Sequence, residues 1–144
     1  MIIEVKNRDV LLALIINSDF NKEGGSFVTS PAASQQVAFM KYSKDKDILP
    51  HYHIPVTRQI EDTQETLVIR KGKLRTDFYD HNQAYLRSYV LEAGDLLVLM
   101  LGTHGFKVLE DLEMYEIKQG PYGGNGEKVR VEPVPDSAVI VAKF

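Results

Sequence analysis

Three histidines and a glutamate in this chain have the types and spacing of metal ligands. His51 and His53 are separated by one residue, and Glu65 and His104 follow, the latter in a glycine-rich turn. Alternate residues of a strand face the same side about 6–7 Å apart, so both imidazoles can reach one ion. Because the chain has no Cys, imidazole, carboxylate and water are the remaining ligand types. A metal site is therefore the first hypothesis.

The elements that must position these residues read as strands. Short apolar or alternating runs are separated by Gly, Asp, Asn and Pro, and no stretch of a dozen residues keeps a helical period. This pattern predicts an all-β barrel or sandwich. Hairpin turns are predicted at Lys71–Lys73 and Asp80–Gln83. The predicted strands are Leu11–Ile16, Gln35–Tyr42, Ile48–Ile54, Thr66–Arg70, Leu74–Tyr79, Tyr85–Leu91, Leu96–Leu101, Phe106–Leu109, Glu113–Lys118, Val129–Val131 and Ala138–Ala142.

Side-chain parity predicts that Glu65 faces inward. It shares one strand face with Leu67 and Ile69, and an aliphatic face of this kind points to the core. A lone buried carboxylate is costly, and an ion beside it removes that cost. By the same parity, His51 and His53 lie together on one face of their predicted strand.

The order of these residues resembles that of the cupin superfamily. His51-x-His53 is followed after eleven residues by Glu65, and a Gly102-Thr103-His104 turn comes later. The resemblance covers roughly residues 35–120. It implies a double-stranded β-helix, or jelly-roll barrel, as a single domain over residues 1–144. It also implies that His51, His53, Glu65 and His104 converge inside the barrel on one divalent ion.

The choice of Glu65 as the acidic ligand depends on a second spacing. Six residues separate Glu65 from Gly72, as in the first motif of the cupins. This spacing favours Glu65 over Glu61 or Asp62, although another acid is left open as the ligand. His81 lies within a predicted turn, Asp80-His81-Asn82, and is predicted to be a surface residue.

Three segments give a closer resemblance, to small single-domain cupins found among proteins of surface-polysaccharide and nucleotide-sugar metabolism. They are Thr63-Gln64-Glu65, the Gly102–Phe106 turn and the run Glu116–Tyr122. The resemblance implies a small polar metabolite, such as a sugar or sugar nucleotide, as the ligand. It assigns no catalytic residue.

Three functions remain open at this point. The first is a metal-dependent isomerase or epimerase; imidazole and carboxylate ligands suit Zn, Fe, Ni, Mn or Co. The second is a metal-free sugar-nucleotide epimerase or isomerase with a histidine as general base. The third is a cupin that binds a small molecule without catalysis. Arg70, Lys107 and Lys118 are candidates for holding an anionic substrate. The loop Gly120–Gly126 is predicted either to close the barrel mouth or to form part of an interface.

Composition and charge exclude several partners. The net charge is −3 and the Lys and Arg residues are dispersed, which argues against nucleic acid and against an anionic membrane surface. The longest early apolar run, Leu11–Ile16, is too short for a membrane span or a signal sequence. A cytoplasmic location is therefore expected. A homodimer paired through edge strands is a further expectation.

Overall fold

The apolar runs form antiparallel sheets. The computed structural model describes residues 1–144, apart from the side chain of Asn125. The strands are β1 (Ile2–Asn7), β2 (Val10–Ile16), β3 (Gly24–Phe27), β4 (Ala38–Lys41), β5 (Glu65–Lys71), β6 (Lys73–Tyr79), β7 (Tyr85–Glu92), β8 (Leu96–Leu99), β9 (His104–Val108) and β10 (Glu113–Lys118). Two short 3₁₀ helices follow, Gly124–Glu127 and Asp136–Ala138. The all-β prediction is confirmed.

The strands form three sheets. The largest has the order β1-β2-β8-β5-β10, a second has the order β7-β6-β9, and β3 pairs with β4 alone. From β5 onward the chain alternates between the two larger sheets, with β5, β8 and β10 in one and β6, β7 and β9 in the other. This alternation places the starts of β5 and β9 opposite each other.

Gly72 turns the chain from one sheet to the other. The prediction of a hairpin at Lys71–Lys73 is wrong, because β5 pairs with β8 and β10 whereas β6 pairs with β7 and β9. Gly72 has a φ of +80°, and a Cβ at this position would collide with the carbonyl oxygen of Asp111. Glycine is thus required by both conformation and space.

The predicted hairpin turn at Asp80–Gln83 is confirmed, since it joins the paired strands β6 and β7.

The main core lies between the two larger sheets. Its buried side chains include Leu67, Ile69, Leu74, Phe78, Tyr89, Leu91, Leu97 and Leu99. The other face of the five-stranded sheet is also covered: Leu14, Ile16, Val98 and Met100 pack there against Phe20, Val28 and Val37. Burial on both faces explains why β2 is continuously apolar rather than alternating.

Residues 42–64 contain no strand, so the predicted strand Ile48–Ile54 is wrong. Its side chains are exposed, including Leu49 at 77% and Tyr52 at 86%. Pro50 lies within the predicted strand and Pro55 directly follows it, and each removes a backbone donor that a strand in a sheet would use. The alternation of side chains predicted which residues would share a face. It could not predict whether another strand lies beside this segment to pair with it.

The other differences between predicted and observed strands lie before residue 43 and after residue 128. Val129–Val131 and Ala138–Ala142 are not strands, although Val141 makes an isolated bridge to Ser88. Conversely, β1 and β3 were not predicted, and Gln35–Tyr42 shortens to β4. No helix among the described residues is long and apolar enough to cross a membrane.

Candidate functional site

Glu65 is the buried carboxylate at the centre of the site. It is the first residue of β5 and is 7% exposed, on the same inward face as Leu67 and Ile69. Its inward orientation therefore agrees with the parity prediction. Thr66, on the other face, donates a hydrogen bond of 2.6 Å to Gln35, which ties the start of this strand to the preceding segment.

His104 opens β9 opposite Glu65. The chain enters β9 through Gly102, whose φ is +88°, and Tyr79 donates a backbone hydrogen bond to the carbonyl of Thr103. His104 pairs across the sheet with Phe78, and its ring lies 5.3 Å from that of Phe106 between centroids. Its Nε2 atom is 3.5 Å from Oε2 of Glu65. Two residues that are far apart in sequence therefore form one dyad.

Two lysines contact the other oxygen of the Glu65 carboxylate. Lys118 Nζ lies 3.5 Å and Lys128 Nζ 3.7 Å from Oε1. Lys118 also pairs with Glu116 at 2.7 Å and lies over the ring of Tyr122, 5.6 Å from its centroid. Both lysines are thus held at the carboxylate while part of each remains in water.

These contacts keep Glu65 ionised. Its pKa is lowered from 4.5 to about 2, chiefly by the hydrogen bond with His104. Burial opposes this change, whereas the charges of His104, Lys128 and Lys118 add to it. A carboxylate that remains charged can orient the imidazole and favour the tautomer with a proton on Nε2, which leaves Nδ1 as the basic nitrogen.

The dyad borders an open cleft of about 860 Å³, in the size range of small-molecule sites. The cleft is lined in part by Arg58, Lys118, Lys128, Pro121 and Tyr122. Gly120 and Gly124 also line it, so part of the predicted mouth-closing segment Gly120–Gly126 does lie at the cleft. The lining also includes Glu61, Asp62 and Glu127, so cations and carboxylates are mixed around the cleft. This lining suits a polar ligand whose hydroxyl groups face the carboxylates and whose anionic group faces the lysines.

His51 and His53 lie apart from this dyad. Both are exposed in the 42–64 segment, with ring centroids 5.4 Å apart, and His51 Nδ1 is 2.9 Å from the carbonyl oxygen of Leu49. The two rings lie edge to face beside each other, but the structure does not bring them to Glu65 and His104. His81 is exposed in its turn, as predicted.

In this arrangement the residues do not fit a resident metal ion. No group of three or more His, Asp or Glu side chains among those described lies close enough together to hold one. In addition, the ammonium groups of Lys118 and Lys128 already lie at Oε1 of Glu65, where a metal cation would bind. The metal site stays a prediction from the sequence.

The predicted anion-holding residues separate into two groups. Lys118 is in the cleft, and Lys107 lines a neighbouring cavity. Arg70 lies elsewhere, over the ring of Tyr115 at 5.4 Å and 3.9 Å from Glu113. Sequence reasoning missed Arg58 and Lys128, for which no spacing signal exists.

Searches against protein-family models, curated proteins and solved structures found no match for this chain. The resemblance to cupins stays a prediction.

Proposed function

We propose that this chain is a jelly-roll protein of the cupin kind. The support is the strand pairing, in which β5 pairs with β8 and β10 while β6 pairs with β7 and β9. Two interlocked Greek keys have this connectivity, and a full jelly roll has about eight strands. β5 to β10 would supply six of them. The edges at β9 and β10 are where the remaining two would join.

We infer further that the cleft binds a small, negatively charged polar metabolite and acts on it as an isomerase or epimerase. Sugars and sugar nucleotides are the proposed class. The observation that carries this proposal is the buried Glu65–His104 dyad beside Lys118 and Lys128. A buried, paired carboxylate in a cleft is typical of a functional site rather than of a core.

The dyad suits proton transfer next to a carbonyl group. His104 would take the proton from a hydroxyl-bearing carbon beside a keto group, which gives an enediolate, and would return it on the same face to the neighbouring carbon while the hydroxyl proton passes to the former carbonyl oxygen. Epimerisation instead requires an acid on the opposite face of the substrate, for which Tyr122 in the cleft lining is the candidate. Glu65 stabilises the imidazolium formed in between, and the lysines stabilise the developing oxyanion. No net oxidation occurs, so no co-reactant is needed.

Deuterium exchange tests this reaction directly. Wild-type protein in D₂O, incubated with a panel of keto-sugar nucleotides, should incorporate deuterium at the carbon next to the carbonyl of one of them. His104→Gln should lower the rate about 10²- to 10⁴-fold, the usual contribution of a general base. The control His81→Gln changes an exposed turn histidine and should keep the wild-type rate.

Two other outcomes reject parts of the proposal. Ligand binding by calorimetry without exchange would identify a non-catalytic binding protein. Equal exchange rates in His104→Gln and wild type would mean that the base is elsewhere.

A second candidate is a metal-loaded form of the same site. One observation favours it: β9 is an edge strand, and the exposed segment Ile48–Ile54 carries apolar residues that lack a neighbour. If this segment paired with β9, it would carry His51 and His53 toward His104. Zn, Fe, Ni, Mn and Co are the candidate ions.

Elemental analysis tests the metal-loaded form. The proposal expects about one divalent ion per chain, lost in His51→Ala and His53→Ala but kept in His81→Ala. Added metal should also slow amide hydrogen exchange over residues 48–54. Equal metal content in all three variants would show that the ligands are misassigned.

A further inference from the structure

Arg75 of β6 is a buried cation that is held rigidly. Its Nε and Nη2 atoms donate to the two oxygens of Asp77 at 2.8 and 3.0 Å, and Ser88 donates to the same carboxylate at 2.5 Å. The Arg75 side chain is 10% exposed and that of Asp77 is 6%. With two nitrogens fixed on Asp77, Nη1 is the edge of the guanidinium that is left for another partner.

Asp136 occupies that edge from the C-terminal part of the chain. Its Oδ1 accepts from Arg75 Nη1 at 2.9 Å, and its Oδ2 accepts from Lys107. Lys107 is the cross-strand neighbour of Arg75 on β9, so the two cations lie side by side. The Asp136 side chain is 62% exposed and belongs to a three-residue 3₁₀ helix. Water reaches this carboxylate, so a solute anion can compete with it.

The charges around Asp136 favour a phosphoryl group over a carboxylate. Without Asp136, two cations and the Asp77 carboxylate remain, a net charge of 2 − 1 = +1. A phosphoryl group brings nearly two negative charges and three acceptor oxygens, whereas Asp136 brings one charge and two oxygens. A planar guanidinium next to an ammonium group is a common way to bind phosphate.

The location links this cation pair to the candidate site. Arg75, Lys107 and Asp136 line a cavity of about 1060 Å³ that also borders Glu65 and His104. Lys128 and Arg130 lie on the same cavity. Residues just before Asp136 are anchored beside it, since Val134 donates a backbone hydrogen bond of 3.0 Å to the Tyr79 hydroxyl.

We propose that Arg75 and Lys107 form a phosphoryl-binding site, which Asp136 fills from within the chain and which a phosphate-bearing ligand takes over. The binding site itself is independent of the proposed reaction. Only the assignment of the phosphoryl group to a substrate rests on the proposed function.

Calorimetry with inorganic pyrophosphate, in buffer free of divalent metals, tests the displacement. Asp136→Asn removes the competing charge and keeps the side-chain size, so it should bind pyrophosphate about tenfold more tightly than wild type, the scale of one charge-assisted hydrogen bond. Glu132→Gln is the matched control: it removes an exposed carboxylate four residues earlier and should leave the affinity unchanged. No gain in Asp136→Asn, or an equal gain in the control, overturns the proposal.

Further variants separate a binding site from a structural anchor. The gain should disappear in the double variant Asp136→Asn with Lys107→Gln. If Asp136 only anchors the chain end, Asp136→Asn will melt at a lower temperature and pyrophosphate will raise its Tm no more than that of wild type; this result overturns the proposal.

Pyrophosphate affinity and deuterium exchange are measured on the same wild-type protein, so the two proposals can fail independently. Failure of pyrophosphate binding alongside intact His104-dependent exchange would therefore reject this inference and leave the proposed function standing.

Discussion

The Glu65–His104 dyad and the His51–His53 pair both consist of predicted metal ligands but have opposite surroundings. Glu65 begins β5, which pairs with β8 and β10 on its two sides, and His104 begins β9, which pairs with β6. His51 and His53 lie in a segment without strands, where nearly every side chain is exposed. Of these two pairs, the one that reaches a cleft is therefore the one whose strands have neighbours that supply hydrogen bonds and packing.

The largest expected difference between the two regions is in the free energy of unfolding after mutation of an aliphatic residue in each. Leu67, two residues after Glu65, is 1% exposed, whereas Ile54, one residue after His53, is 75% exposed. Leu67→Ala should lower the free energy of unfolding by about 2–5 kcal/mol, the usual cost of a cavity in a core. Ile54→Ala should change it by less than about 0.5 kcal/mol.

Urea unfolding of both variants measures the difference. A loss of several kcal/mol in Ile54→Ala would mean that residues 48–54 are docked in solution, as the metal-loaded form requires. Repeating the measurement with added Zn²⁺ sharpens the comparison, because only docking makes Ile54→Ala more costly when metal is present.

An intermediate effect is expected when carboxylates of the two regions are compared. Glu65→Gln removes the charged acceptor of His104 and should lower ligand turnover about 10- to 100-fold, from a loss of about 1.5–3 kcal/mol for a hydrogen bond to a charged group. Glu61→Gln alters an exposed residue at the cleft rim and should change turnover less than about twofold.

Steady-state kinetics on both glutamine variants decides between these acids, and circular dichroism confirms that each is folded. The reverse ranking would place the essential carboxylate in the segment before β5.

Periodicity alone predicted the parts of the site that depend on a single strand. The inward orientation of Glu65 followed from its parity with Leu67 and Ile69, and the all-β class followed from the short runs. The neighbours of a strand are a property of the whole sheet, so the hairpin at Gly72 and the strand at Ile48–Ile54 were wrong. Pro50 and Pro55 were the local signal against that strand.

Contacts between distant residues left no signal in the sequence. Lys128 reaches Glu65 across 63 positions, and its charge looks like any other on the surface. Arg75 and Asp77 are different, because opposite charges at alternate positions of one strand face the same side. That spacing within β6 could have indicated a buried ion pair.

The smallest expected effect is the pH dependence that Glu65 contributes to stability. Its pKa is about 2 in the folded chain and near 4.5 when unfolded, so the unfolded chain binds the proton more readily. The stability from this group is therefore fully present above pH 4.5 and is lost as the pH falls toward 2. Solvent screening of Lys128, which is 62% exposed, keeps the effect small. Urea unfolding between pH 6 and 2.5 should show that the free energy of unfolding falls less with decreasing pH in Glu65→Gln than in wild type. An identical pH dependence in the two proteins would mean that the dyad does not hold this carboxylate in solution.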